Sequence, residues 1–313
     1  MLDNWELCGA CEAHIANTLS SMTTLNDYPA SQIYFSQRLR LHYVDWGNPT
    51  APPLILVHGG RDHCRSWDWV ALALRDRYHV IAPDLRGHGD SQWVNGSGYA
   101  MIDYVYDLAQ LVRQQHLAPV TLLGHSLGGR ICIEYAGIYP ERVARLIAIE
   151  GLGPSRSETD RHSVTPAHLR MADWISTRHR FAGRLPRRYA TLDDAVERMR
   201  EANPRLSAEQ ALHLTTHAVN QNEDGTYIWK FDNYARAHSP YPFNEEDAEE
   251  IWGRVRMPTL LISGLESAGD PNQDGRTKSF PQAHKIGVAD AGHWVHHDQL
   301  DNFLKHVERF LAE

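Results

Sequence analysis

Apolar residues recur along this chain in two alternating rhythms. Short runs at Pro53-Leu-Ile-Leu-Val57, Tyr78 to Ala82, Val120-Thr-Leu-Leu123, Arg145 to Glu150, Thr259 to Ser263 and Lys285 to Ala289 have the length of buried strands. Between them lie stretches with helical spacing. Ser66 to about Asp76 is one, and positions 101, 104, 105, 108, 111 and 112 form a second. A third helix is predicted from the residue after Ser126 to about Tyr139, and Leu300, Phe303, Leu304, Val307, Phe310 and Leu311 predict a strongly amphipathic closing helix. Ahead of all these, Gln32 to Gln37 and Leu39 to Asp45 predict an antiparallel hairpin closed by Trp46-Gly47-Asn48-Pro49. Strands that alternate with helices imply an α/β fold, with a mostly parallel central sheet and helices on both faces.

The rhythm stops between about Leu152 and Arg254, where helical segments rich in Arg, His and aromatic residues take over. Residues 31–151 and 255–313 therefore read as two parts of one core, and 152–254 as an inserted helical cap. Thr191-Leu-Asp-Asp194 and Ser207-Ala-Glu-Gln210 resemble capping boxes that start two cap helices, separated by Asn203-Pro204. Trp174, Phe181, Tyr189, Trp229, Phe231 and Tyr234 supply either a cleft lining or the cap's own core. Residues 1–30 show little periodicity and are treated as a peripheral arm.

A chain of 313 residues with 42% hydrophobic and 22% charged residues can bury a full core without a partner. No apolar run approaches the ~20 residues of a membrane span. A net charge of −8 argues against a nucleic-acid binder, so the expected partner is a small-molecule substrate, with a homodimer left open as the assembly. Among the four cysteines, Cys8 and Cys11 read as reduced thiols, because neither a redox setting nor further zinc ligands accompany them. The N-terminus lacks the basic and apolar regions of a secretory signal, which makes a cytoplasmic location the expectation. No metal or other cofactor is expected, since the scattered His and Asp show no ligand spacing.

The chemistry concentrates at Gly124-His125-Ser126-Leu127-Gly128, directly after the Val120 strand. Gly-x-Ser-x-Gly between a strand and a helix is a nucleophile elbow: the turn strains the serine backbone and exposes its hydroxyl, and a Cβ on either flanking glycine would collide with the adjoining elements. Ser126 is thus the candidate nucleophile. The segment after His58-Gly59-Gly60 should border its pocket, and His63 and Trp67 are candidate substrate contacts there, with Trp67 and Trp69 equally placed to be helix core. His125 and Trp294, next to the candidate catalytic residues, join that set. Asp84-Leu-Arg-Gly-His-Gly-Asp-Ser91 reads as a structural turn held by local hydrogen bonds.

His58-Gly59-Gly60, Gly124-His125-Ser126-Leu127-Gly128 and Ala291-Gly292-His293-Trp294, in this order, resemble the α/β-hydrolase superfamily over about residues 30 to 313. Arg187-Arg188-Tyr189 and Asn203-Pro204-Arg205-Leu206-Ser207 look closest to its serine hydrolase-like branch. The resemblance implies an α/β-hydrolase fold, His293 as the base that activates Ser126, and the amides of Leu127 and Gly60 as the oxyanion hole. The acid departs from the usual pattern. Ser267 stands where family members carry an Asp, which leaves Glu266 or Asp270 as shifted substitutes. Glu150, at the end of the strand after the elbow helix, occupies a position from which some α/β-hydrolases, including a subset of haloalkane dehalogenases, supply the acid. It is taken as the third catalytic residue ahead of the other two. The implied activity is cofactor-independent hydrolysis of a carboxylic ester or lactone. Hydrolysis of a C–C bond beside a carbonyl uses the same residues, and a small-molecule receptor with a slow or unused triad is the alternative outside catalysis.

Overall fold

The computed structural model describes residues 28–96, 98–153, 164–182, 186–236, 239–241, 244–267 and 275–313. Nearly all of the arm at 1–30, Cys8, Cys11 and Asp270 lie outside these. Strands β1 (Ala30–Ser36), β2 (Leu39–Asp45), β3 (Pro53–Val57), β4 (His79–Pro83), β5 (Val120–His125), β6 (Val143–Ile149), β9 (Thr259–Gly264) and β10 (His284–Val288) form an eight-stranded sheet. Its order is β1-β2-β4-β3-β5-β6-β9-β10. The hairpin β1–β2 and the β2–β4 pair are antiparallel, and the remaining neighbours are parallel.

Side chains alternate across the strands and so divide the core in two. Ile55, Val57, Leu122, Leu146 and Ala148 face one side, where α2 (Met101–Gln114) and α3 (Leu127–Ile138) cover them. Leu54, Leu56, Leu123, Ile147 and Ile149 face the other, under α1 (Asp68–Leu74) and the closing helix α9 (Leu300–Ala312). The buried stripe Phe303, Val307, Phe310 and Leu311 on α9 is the expected amphipathic face. Cys64 and Cys132 are buried free thiols, one in each half of the core.

The chain between β6 and β9 leaves the sheet and returns to the strand position beside β6. It carries α4 (Ala167–Phe181), α5 (Leu192–Ala202), α6 (Ala208–Ala218) and α7 (Glu245–Trp252). Both capping boxes form: Thr191 Oγ accepts from the Asp194 amide, and Ser207 Oγ from the Gln210 amide, at 3.1 Å each. Helices do not account for the whole segment. Strands β7 (Val219–Gln221) and β8 (Tyr227–Trp229) make an antiparallel hairpin whose turn contains Asp224-Gly225, with Gly225 at φ +81°. Asp-Gly between β-prone residues is a hairpin signal that the helical reading passed over. The aromatics here pack mostly on each other, Tyr189 edge-on to Trp229 and Trp229 stacked on Phe231. Among the described residues, no helix is long and apolar enough to cross a membrane.

Candidate active site

Ser126 lies between β5 and α3 with φ 51° and ψ −115°, a region costly for any residue with a Cβ. Its own amide donates to the Ile149 carbonyl at 2.8 Å, which ties the turn to β6. Close packing fixes the rest: a Cβ on Gly128 would lie 2.2 Å from the Val57 carbonyl oxygen. The elbow helix can therefore press directly onto the end of β3, bringing the His58-Gly59-Gly60 loop beside the serine. His58 stiffens that loop. Its Nδ1–H donates to the Gly59 carbonyl at 2.7 Å, and its Nε2 accepts from the Leu85 amide at 3.0 Å. Burial holds the ring neutral, with its pKa lowered to about 3. Leu127 is the first residue of α3, so its amide has no intrahelical acceptor and is free for an anion. Gly60 is exposed in the facing loop.

His293 follows β10 on a loop that crosses the end of β9. The loop is pinned by Glu266 N donating to the Ala291 carbonyl at 2.9 Å and by Gly292 N donating to Asp298 Oδ2 at 2.8 Å. Gly264 permits the crossing, since a Cβ there would sit 2.2 Å from the Gly292 carbonyl oxygen. The imidazole is half exposed, and its Nδ1 is 3.6 Å from Glu150 Oε2. That is an ion-pair separation slightly beyond a formed hydrogen bond.

Glu150 also has positive φ, 52°, and its side chain is 9% exposed. Two donors hold the carboxylate: Gly264 N to Oε1 at 2.9 Å, and Ser267 Oγ to Oε2 at 3.0 Å. Ser267, at the position where an Asp is expected, is thereby a hydrogen-bond donor to Glu150. Glu266 points elsewhere and pairs with Arg205. Asp270 is not among the described residues.

The four candidate substrate contacts fall differently. Trp67 is 0% exposed and stacks on His296, with centroids 4.5 Å apart, as part of the core beneath the sheet. A side chain without accessible surface cannot line an open cleft. His63 is also buried, and its Nε2–H donates to the Leu214 carbonyl at 2.9 Å, joining the loop after β3 to α6. His125 is buried next to Ser126 in the chain, its ring 4.8 Å from that of His293, and its Nε2–H donates to the His293 carbonyl at 2.8 Å. These three are corrected from substrate contacts to packing and positioning residues. Trp294 is half-buried against Leu206, Ala211 and Leu214 of the inserted segment.

The Asp84 turn is structural in its contacts. Its carboxylate accepts from the amides of Cys64 at 2.7 Å and Asp90 at 2.9 Å, and pairs with His42 at 2.7 Å. These partners hold its pKa far below the usual range against the opposing effect of burial. A groove of about 490 Å³ opens beside this turn, between Arg40, Trp93, Trp229 and Lys230; neither Ser126 nor His293 lines it.

Sequence spacing did not reveal that Asp62, His125 and His296, far apart in the chain, converge. All three are buried and their ligand atoms lie within 4.8 Å of one another. Burial raises the Asp62 carboxyl to about 7 and pushes both imidazoles well below their ordinary range.

Known proteins resemble this chain over most of its length. The sequence model of the family described as alpha/beta hydrolase fold matches residues 52–300. A Haemophilus influenzae protein, whose name assigns it provisionally to the esterases or lipases, is 26% identical over 83% of this chain and 83% of its own length. The serine hydrolase-like protein of Danio rerio is 25% identical over 75% of this chain and 69% of its own. Among solved structures, E-2-(acetamidomethylene)succinate hydrolase superposes with a TM-score of 0.75 at 21% identity, over 91% of this chain and all of the other.

Proposed function

This chain belongs to the α/β-hydrolase fold family, and on that premise we propose that it is a serine hydrolase acting on a carboxylic ester or lactone, with Ser126, His293 and Glu150 as its triad. The observation that carries the reading is the held carboxylate. Glu150 sits 3.6 Å from His293 Nδ1, with Gly264 N and Ser267 Oγ fixing its two oxygens. A carboxylate there selects the tautomer with a proton on Nδ1, leaves Nε2 as the base, and stabilises the imidazolium formed in the reaction. An apo ion-pair separation can tighten to a hydrogen bond when substrate binds.

In the proposed reaction Ser126 Oγ attacks the substrate carbonyl carbon while His293 Nε2 takes its proton. Negative charge on the carbonyl oxygen is met by the N–H groups of Leu127 and Gly60. The tetrahedral adduct collapses as His293 returns the proton to the leaving alkoxide. An acyl-Ser126 remains, which water, deprotonated by His293, hydrolyses to the acid. A lactone follows the same path with its alkoxide still attached. Serine, imidazole, carboxylate and two amides supply every group this sequence of steps uses. A small-molecule receptor has no need of an acid behind the histidine, so a carboxylate held 3.6 Å from His293 Nδ1 favours the hydrolase over the receptor alternative.

The test is hydrolysis of a panel of short-chain aryl esters and lactones beside a β-diketone. Ester or lactone turnover that disappears in Ser126→Ala supports the proposal. Turnover of the β-diketone alone moves the protein to C–C hydrolysis, and stoichiometric binding without turnover moves it to the receptor class.

A further inference from the structure

Asp62 leaves the loop after β3, His125 ends β5 and His296 lies on the short helix α8 (Val295–Asp298). Their side chains meet in the interior, with relative exposures of 5%, 1% and 1%. Asp62 Oδ2, His125 Nδ1 and both ring nitrogens of His296 are buried without a hydrogen-bond partner. A buried polar atom left unpaired is costly, so several close to one another imply an occupant. We infer that Asp62, His125 and His296 form a binding site for a divalent transition-metal ion of the zinc class.

Three features fit an ion. Two imidazoles and a carboxylate are a common donor set for zinc, which binds His N and Asp O at roughly 2.0–2.2 Å. Three atoms within 4.8 Å of one another lie no more than about 2.8 Å from a common centre, so each closes by roughly 0.7 Å at most to reach those bond lengths. The donors are also already oriented. His125 Nε2–H donates to the His293 carbonyl, which leaves the lone pair on Nδ1 available, and the His63 amide donates to Asp62 Oδ1 at 2.9 Å, which leaves Oδ2 available. Carbonyl and amide partners of this kind set the tautomer and rotamer of metal ligands. The stack of Trp67 on His296 fixes the third ring.

The site lies one residue from Ser126 and is bonded through His125 to the backbone of His293. An ion held there would lie directly behind the loop that carries the proposed base. The binding claim stands independently of the hydrolase reading.

The test is to strip the full chain with chelator, add Zn²⁺ or Co²⁺, remove excess by gel filtration and measure bound metal. One equivalent of Zn²⁺, and Co²⁺ absorption bands of a low-coordinate nitrogen and oxygen site, are expected in the wild type and absent in Asp62→Asn and His296→Gln. His213→Gln, in a separate cluster with Asp68 and His217, should retain them. X-ray absorption of the wild-type zinc complex should show two imidazoles and at least one oxygen, a readout that does not depend on any variant folding. Substoichiometric metal in the wild type, equal binding in folded variants, or a coordination shell without two imidazoles would overturn the inference and leave a buried water as the occupant.

Discussion

Glu150 and Ser267 divide between them what one Asp after β9 supplies in the family pattern, the first offering the carboxylate and the second a donor that holds it. The proposed triad takes its acid from the end of β6 and not from the end of β9, and Ser267 at the latter place donates to Glu150 at 3.0 Å. Removing the charge by Glu150→Gln should lower kcat by on the order of 10³–10⁴-fold with KM little changed, as expected for loss of the group that orients and balances the base. Ser267→Ala, which removes one hydrogen bond to a carboxylate, should cost about tenfold. Steady-state kinetics on one ester checks both, and a fully active Glu150→Gln enzyme would remove Glu150 from the triad. The strand-end position of Glu150 was visible in the sequence; its donors were not, because Gly264 and Ser267 lie more than a hundred residues away. Trp67, His63 and His125 were misread for a related reason. Adjacency to a catalytic motif says nothing about which way a side chain turns, and all three turn inward.

At the scale of elements, buried strands and amphipathic helices were readable because their periodicity is imposed by the two faces of the sheet. Strand β3, β2 and the start of α2 fall where the pattern puts them, and other boundaries shift by a residue or two. The hairpin β7–β8 escaped, since three-residue strands are too short to show alternation and only the Asp224-Gly225 turn marks them. The elbow's dependence on close approach is testable. Gly128→Ala places a methyl 2.2 Å from the Val57 carbonyl oxygen, which backbone cannot relieve without separating α3 from β3. It should destabilise the fold by at least about 1–3 kcal/mol in urea titration and abolish activity in whatever folds. Phe303→Ala, which empties a fully buried site under the sheet, should cost about 3–5 kcal/mol while leaving the catalytic groups in place. Equal midpoints for wild type and Phe303→Ala would contradict the two-sided core.

Across the whole molecule, buried histidines set the response to acid. Burial holds His58 neutral down to about 3, partial burial beside Arg65 does the same for His217, and His88 is lowered in the same direction, whereas in the unfolded chain each takes up a proton near 6.5. Between those values the histidines make the unfolded state bind more protons; Asp62, raised to about 7, opposes them as a single group, so on balance stability falls as pH drops below about 6.5. Asp84 adds to the loss at lower pH: its carboxyl is depressed by His42 and two amides, so its contribution is present above the ordinary carboxyl range and disappears as acid protonates it. The urea midpoint should therefore decline steadily from pH 7 to pH 4.5, and a flat profile would contradict the neutral buried imidazoles. The formal charge of −8, read from composition, carries none of this, because it leaves the histidines out as neutral groups.

The central claim is that Ser126 is a nucleophile activated by His293 and Glu150, and intact-mass spectrometry after exposure to a small fluorophosphonate tests it most directly. The account predicts a single adduct on the wild type, none on Ser126→Ala, and much slower labelling of Glu150→Gln. An unlabelled wild type that is folded by circular dichroism, or an adduct that persists in Ser126→Ala, would contradict it.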